Sequence, residues 1–342
     1  MSPDLTPPAS PTTDWPHPHW ETLRDSEAAG WSRPELDAAL AYVDTIATDA
    51  LLVIQHGRIV AAYGDLERRF MCHSIRKSLL SALFGFEVER EPHTLAYTLA
   101  ELGIDDTQGL SEVEKQATVF DLLTARSGIY HPAGYETAWM QSIKPPRHSQ
   151  APDTKWCYSN WDFNALGTIY TQLSGLGIHA AFESLLARPL GMEDFRFDET
   201  RQDGHLEPDD CSRHPAYPFR LSTRDLARFG LLFLQGGRWQ ARQLLPAHWV
   251  ATSLLPYSHA GTRGAYGYMW WLSRDGVAFP GASVPPATFS AQGAGGHYCL
   301  VLPALDLIVV HRVDTEQPNR QVDRFQFGHL LRLLLAACPK RR

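Results

Sequence analysis

Strand-like sequence lies near the two ends of this chain and is scarce between them. Near the start, ALLVIQHGRIVAAYG at 50–64 is rich in apolar and β-branched residues around His56-Gly57, which predicts a hairpin. Near the end, YGYMWWLS, HYCLVLP and DLIVVHRV predict further strands, the last two joined by a turn at Asp306. Because strands must pair to satisfy their backbone groups, we expect one antiparallel sheet built from both ends of the chain.

Helical patterns surround these strands and fill the middle of the sequence. SIRKSLLSALFGFEV at 74–88 and TRDLARFGLLFLQGG at 223–237 both carry apolar residues at helical spacing. The predicted fold class is α/β of the α+β type, with an antiparallel sheet flanked by helices and an inserted, mostly helical subdomain. The predicted organisation is a Pro-rich lead-in at 1–30, a sheet domain formed by 31–100 and 212–342, and a helical subdomain at 101–211.

Composition excludes several classes of function. The 342 residues are 44% hydrophobic, enough to bury a large core. The net charge of −7 is spread along the chain without a basic stripe, so we expect no nucleic-acid partner. No apolar run is long enough to span a membrane, and the Pro-rich first residues resemble neither a signal peptide nor an anchor. Five widely separated cysteines fit reduced thiols, so we expect a cytoplasmic protein whose oligomeric state the sequence leaves open.

Histidine is frequent, but its spacing does not indicate a metal site. The densest cluster is His17-Pro18-His19 in the lead-in, and neither HExxH nor CxxC occurs among the 15 histidines and five cysteines. We therefore expect no metal and no other cofactor.

The strongest chemical motif is Ser74-Ile75-Arg76-Lys77. A hydroxyl and an amine at i and i+3 lie on one face at the start of a helix. A lysine on an otherwise apolar helix loses hydration, which lowers its pKa and lets it accept a proton. Unpaired N–H groups at the helix start could hold an oxyanion. The alternative is an amphipathic helix with a serine N-cap.

Tyr158-Ser159-Asn160 is a second candidate. A tyrosine beside a lysine ionises more easily and can relay protons, and the Asn160 amide could orient Lys77 or the acyl part of a substrate. The alternative is a capped helix start with a half-buried tyrosine.

A third candidate is the glycine-rich run at 292–297, which leads into the strand HYCLVLP. Glycines such as Gly295 and Gly296 let a substrate approach a strand edge closely, and the His297 N–H is a candidate second oxyanion donor. The alternative is a loose hairpin turn.

In this order and on these elements, the motifs resemble those of the β-lactamase-related serine hydrolases, which include class C β-lactamases, esterases and 6-aminohexanoate-dimer hydrolases. DLLTARSGI at 121–129 and YSNWDFNALGTIY at 158–170 are also similar to family sequence, and the resemblance extends over roughly residues 48–335. It implies a β-lactamase/transpeptidase-like fold and Ser74 as nucleophile, with Lys77 and Tyr158 moving protons.

One departure concerns the substrate. β-Lactamases and penicillin-binding proteins carry Lys or His where this chain has Ala294, and that cation meets a substrate carboxylate. The sequence therefore predicts that small neutral esters or amides are preferred over carboxylate-bearing ones. The sequence leaves open whether Arg263, Arg274 or His297 supplies the missing charge from a nearby loop. Two alternative functions also stay open: β-lactamase or D,D-peptidase activity, and a catalytically silent homologue that serves in binding or assembly.

Overall fold

A computed structural model describes residues 14–339. Residues 1–13, which form the first part of the predicted lead-in, lie outside the described residues. The helices are α1 (Arg33–Val43), α2 (Ile75–Arg90), α3 (Val119–Leu123), α4 (Ala138–Ile143), α5 (Asn160–Ser174), α6 (Ile178–Phe182), α7 (Thr223–Leu234), α8 (Ala247–Ser253) and α9 (Arg324–Ala337). The strands are β1 (Ala50–Gln55), β2 (Arg58–Gly64), β3 (Phe70–Met71), β4 (Glu207–Asp209), β5 (Ser212–Ala216), β6 (Arg220–Leu221), β7 (Arg238–Trp239), β8 (Arg242–Gln243), β9 (Ser258–His259), β10 (Ala265–Tyr266), β11 (Trp271–Leu272), β12 (Val277–Phe279), β13 (Ala282–Ser283), β14 (Phe289–Gly293), β15 (His297–Leu302) and β16 (Leu307–Arg312).

One antiparallel sheet organises the molecule. Its strand order is β2-β1-β16-β15-β14-β11-β10-β9, so the first hairpin lies beside the last strand. The predicted hairpin at His56-Gly57 and the turn at Asp306, whose φ is +47°, are confirmed. The predicted fold class is therefore confirmed as a large antiparallel sheet flanked by helices.

The two faces of the sheet bury separate cores because successive side chains alternate in direction. Leu51 and Val53 of β1 pack with α1 and α9, whereas Leu52 and Ile54 pack with α2, α5 and α7. The second face carries the larger core, which also takes in the helices between residues 101 and 211. From residue 14 onward the lead-in packs on this body, for example through the Trp20 indole N–H, which donates to the Arg224 carbonyl.

The prediction of one strand over YGYMWWLS is wrong. The chain makes a tight turn between β10 and β11, where Met269 has a φ of +60° and its N–H donates to the Leu123 carbonyl. A Cβ at Gly267 would lie 2.2 Å from the Ser253 carbonyl oxygen, so the glycine permits a close backbone contact there. Backbone contacts with other elements thus override the local strand pattern.

Candidate active site

A cleft of about 290 Å³ opens where the sheet meets the helices. Its floor contains Ser74 and Tyr158, and one wall is the turn that joins β14 to β15. The lining side chains and backbone segments are Ser74, Thr137, Trp139, Met140, Tyr158, Arg263, Trp271, Gln292, Gly293, Ala294, Gly295, Gly296, Tyr298, Gln321, Val322, Asp323 and Arg324. Residues far apart in sequence therefore converge on one cavity.

Ser74 immediately precedes α2, and its hydroxyl does not cap the helix. The Lys77 Nζ donates to the Ser74 Oγ at 2.7 Å instead. The serine-cap alternative therefore does not describe this residue. Because Ser74 lies at the helix start, its backbone N–H faces no carbonyl of a preceding helical turn.

Lys77 is buried, and its amine bridges two hydroxyl groups. Nζ lies 2.7 Å from the Ser74 Oγ and 2.9 Å from the Tyr158 hydroxyl, and the ammonium position is 4.7 Å from the centre of the Phe163 ring. No carboxylate pairs with Lys77 in the described chain. Burial, with a smaller contribution from the neighbouring Arg76, lowers the pKa of Lys77 well below its usual value. A neutral amine at this position can accept a proton from Ser74.

Tyr158 is buried in an aromatic environment. Its ring lies 4.9 Å from that of Phe163 and 5.2 Å from that of Trp271. Burial raises the pKa of Tyr158 to about 12, although a hydrogen bond with Ser74 opposes the shift. The expectation that the nearby lysine makes this tyrosine ionise more easily is thus not met, because burial dominates the pKa of Tyr158. Tyr158 can still pass protons as a neutral hydroxyl.

Asn160 is the first residue of α5 and is buried behind Tyr158. Its amide Nδ2 donates to the Gly134 carbonyl at 3.1 Å and to the Tyr135 carbonyl at 2.6 Å. Asn160 therefore holds the loop before α4. The end of this loop and the first turn of α4 bring Thr137, Trp139 and Met140 to the cleft. The amide oxygen is buried without a partner in the part of the chain that the structure describes.

A buried arginine holds the segment that leads to Ser74. Arg312, on β16, donates to the carbonyls of Phe70 and Met71 and to Nδ1 of His297. His73, directly before the serine, has a φ of +47°, and its ring is 2.7 Å from the Thr315 hydroxyl. Contacts from β16 and from Thr315, just beyond it, thus hold the turn that leads into Ser74.

The predicted glycines line the cleft as a turn. Gly295 and Gly296 have φ values of +81° and +104°, which the absence of a Cβ permits. Gly293 makes the close approach to the segment before Ser74, since a Cβ there would lie 2.6 Å from the Cys72 carbonyl oxygen. The glycine at the end of β14 therefore brings this strand against the residues before Ser74.

His297 is buried and does not line the cleft. Its ring accepts from Arg312, and the residue lies opposite Gly293 in the β14–β15 ladder. The Ser273 N–H donates to the Thr288 carbonyl, so the backbone groups of Thr288 point away from β15. Backbone directions alternate along a strand, so every second residue after Thr288 also points its N–H and C=O away from β15. By this alternation His297 faces Gly293, and the N–H of Ala294 faces the open side of β14. This geometry does not support the predicted role of His297 as oxyanion donor and favours Ala294.

Sequence reasoning did not identify several residues of the cleft. Trp139 and Arg324 carried no recognisable signal, because α4 and α9 reach the cavity only through the fold. Within residues 14–339, no group of three or more His, Cys, Asp or Glu side chains is arranged to hold a metal ion. None of the described helices is both long and apolar enough to cross a membrane.

The sequence profile of the Beta-lactamase family matches residues 36–328, which is most of the chain. This protein belongs to the Beta-lactamase family. The match spans the sheet, α2 and the glycine turn. Every residue that lines the cleft therefore lies inside the matched region.

Several solved structures share this fold at low sequence identity. A class C β-lactamase has a TM-score of 0.67 and 15% identity over 94% of this chain and 100% of its own. EstCE1, a hydrolase with promiscuous acyltransferase activity, has a TM-score of 0.62 and 16% identity over 90% and 100%. The octameric penicillin-binding protein homologue from Pyrococcus abyssi has a TM-score of 0.63 and 17% identity over 90% and 78%. No curated protein matches the sequence.

Proposed function

We propose that this protein is a serine hydrolase that cleaves a small ester or amide through a covalent acyl-enzyme. The observation that carries the proposal is the position of the Lys77 Nζ, which lies within hydrogen-bond distance of both the Ser74 Oγ and the Tyr158 hydroxyl. A buried amine with a lowered pKa next to a serine hydroxyl is the pairing that nucleophilic catalysis requires.

In the proposed acylation step, the Ser74 Oγ bonds to the substrate carbonyl carbon while its proton passes to the Lys77 Nζ. Collapse of the tetrahedral intermediate breaks the bond to the leaving group. Tyr158 gives its hydroxyl proton to that group and takes one from Lys77 in the same relay, so it need not persist as a phenolate. A raised pKa fits this use of Tyr158. Water then attacks the acyl-enzyme, with the proton moving in the opposite direction.

The oxyanion of the intermediate needs two donors close to Ser74. The N–H of Ser74 at the start of α2 is one candidate. The Ala294 N–H is the other, because it lies on the open side of β14 and follows Gly293, which packs against Cys72. This assignment replaces the predicted role of the His297 N–H as oxyanion donor.

The proposal is tested by active-site labelling together with hydrolysis. A fluorophosphonate probe should label the wild-type protein at Ser74, and wild type should hydrolyse p-nitrophenyl butyrate. Ser74→Ala should abolish both, because it removes the only proposed nucleophile. Ser81→Ala is the matched control: it removes a hydroxyl from the same helix, where that group has no hydrogen-bond partner within the described residues.

Labelling at a residue other than Ser74, or full turnover by Ser74→Ala, would overturn the assignment. A folded wild-type protein that neither reacts with the probe nor hydrolyses any ester would favour the catalytically silent homologue. Nitrocefin, assayed in parallel, distinguishes β-lactamase activity from ester hydrolysis.

A further inference from the structure

Two arginines line the same cleft as the proposed nucleophile, and neither forms an ion pair within the described residues. Arg263 lies in the loop between β9 and β10, and Arg324 is the first residue of α9. No Asp or Glu oxygen comes within 4.0 Å of either guanidinium in the described part of the chain. By contrast, Arg224 contacts three carboxylates on the protein surface.

The Arg263 guanidinium is held by aromatic rings. It lies 4.4 Å from the centre of the Trp139 ring and 5.5 Å from that of Trp271. These contacts fix its orientation but leave its N–H groups without acceptors among residues 14–339. Arg263 thus presents unused donors beside the apolar surface of the cleft.

Arg324 uses only part of its hydrogen-bonding capacity. One terminal nitrogen donates to the Ala278 carbonyl at 2.7 Å, whereas Nη1 is buried and has no partner in the described structure. Burial and the neighbouring Arg263 charge lower the pKa of Arg324 to about 10, so both arginines remain charged at neutral pH. Two like charges in one cleft, partly removed from water and without a counterion, favour binding of an anion beside them.

Asp323 is the acidic residue that also lines the cleft. Its carboxylate accepts from the N–H groups of Phe325 and Gln326 and thereby caps α9. It is exposed and forms no ion pair with Arg324 within the described residues. Asp323 thus stabilises the helix start and leaves both guanidinium groups available.

We propose that the substrate carries a carboxylate, which Arg263 and Arg324 bind in the same cleft that Ser74 lines. This inference rests on the proposed function and names its substrate class: a small ester or amide with a carboxylate a few bonds from the scissile carbonyl. It reverses the preference for neutral substrates, because that expectation rested on the missing cation at Ala294 and left open whether a nearby arginine or histidine supplies the charge. Trp139, Met140 and Trp271 supply an apolar surface for the linking carbons.

The test compares mono-p-nitrophenyl glutarate with its methyl-capped analogue, which has no charge. Wild type should show a kcat/KM about tenfold to a hundredfold higher for the carboxylate, the size expected for hydrogen bonds to a charged group. Arg263→Gln and Arg324→Gln should each reduce this ratio at least several-fold, and Arg263→Lys should retain more of it than Arg263→Gln. A second ester pair with the carboxylate on the leaving alcohol shows which half of the substrate the arginines bind.

Arg274→Gln is the matched control. Arg274 is an exposed arginine on a neighbouring loop, does not line the cleft and lies 3.6 Å from Asp275. Its replacement should leave the ratio unchanged. Equal rates for the two wild-type substrates, or the same ratio in the Arg263→Gln and Arg324→Gln variants, would overturn the proposal.

A separate binding measurement keeps this inference independent of turnover. Glutarate should bind the Ser74→Ala variant at least tenfold more tightly than dimethyl glutarate in calorimetry, and Arg263→Gln should remove the difference. If wild type hydrolyses neither ester but this binding difference is found, the proposed function fails and the carboxylate site stands. If the neutral ester is hydrolysed and no binding difference is found, the carboxylate site fails alone.

Discussion

The two sides of the cleft use cationic residue types in opposite ways. On one side Lys77 is buried against aromatic rings and hydroxyl groups, and burial lowers its pKa well below the usual value. On the other side Arg263 and Arg324 lose part of their hydration but keep their charge. The difference follows from side-chain chemistry, because an amine can lose its proton on burial whereas a guanidinium holds it. One small cavity can therefore hold a lysine that transfers protons and two arginines that bind an anion.

Exchanging the two cation types should have the largest effect. Lys77→Arg places a group that stays protonated beside Ser74, so kcat should fall on the order of 10² or more, as for loss of a general base. The reciprocal change, Arg263→Lys, keeps a positive charge and should reduce kcat/KM for the carboxylate ester by less than about tenfold. Circular dichroism should first establish that both variants fold. Substantial activity in folded Lys77→Arg would show that Lys77 is not the base.

The proton-transfer side should behave as one unit. Lys77→Ala and Tyr158→Phe should each reduce kcat on the order of 10², because each interrupts the same relay. The double variant should be little slower than the slower single variant. If the two effects multiply instead, the residues act independently and the shared relay is wrong.

The two sides should also differ in their response to pH. As pH falls through the lowered pKa of Lys77, the amine gains a proton and kcat/KM should decrease for both glutarate esters. The ratio between the two esters should stay constant from pH 6 to 9, since the arginines and the substrate carboxylate keep their charges in that window. Steady-state kinetics at several pH values measure both quantities. A ratio that changes together with the rate would place the anion beside Lys77.

The smallest predicted effect concerns stability. The pKa of Lys77 is lower in the folded than in the unfolded chain, so the unfolded state binds more protons at pH 7 and stability should rise from pH 7 to 9. Lys77→Met should remove this contribution, giving a higher free energy of unfolding at pH 7 and a shallower rise. Urea denaturation at both pH values measures it. Lys115→Met, which replaces a surface lysine paired with Glu112 at 3.0 Å, is the control and should not stabilise the protein.

Local spacing accounted for the parts of the site that lie on one element. Ser74 and Lys77 are three residues apart on one helix, so their hydroxyl and amine had to lie close together. Tyr158 required the family resemblance, because nothing in the residues near it specifies which helix it faces. The domain boundaries at 101 and 211 remain a prediction, although the strands of the main sheet all lie outside that interval.

Backbone register and long-range convergence could not be predicted from the sequence. The glycine run indicated a strand edge. Which backbone N–H faces the cleft follows from the hydrogen bond between the Ser273 N–H and the Thr288 carbonyl, which favours Ala294 over His297. Arg263 and Arg324 line one cleft only because the fold brings together the loop after β9 and the start of α9. Their importance depends on carboxylates that are missing around them, and a sequence does not report such an absence.

The position of β1 also governs how the chain can fold during synthesis. β1 lies between β2 and β16. The hydrogen bonds on its β16 side can form only after β16 has been synthesised, more than two hundred residues later. Until then the hairpin exposes apolar side chains on both faces, Leu51 and Val53 on one and Leu52 and Ile54 on the other. Such long-range pairing is slow to form, and during translation it leaves an unpaired strand edge that can pair with other chains. The main sheet can therefore close only after β16 has been made.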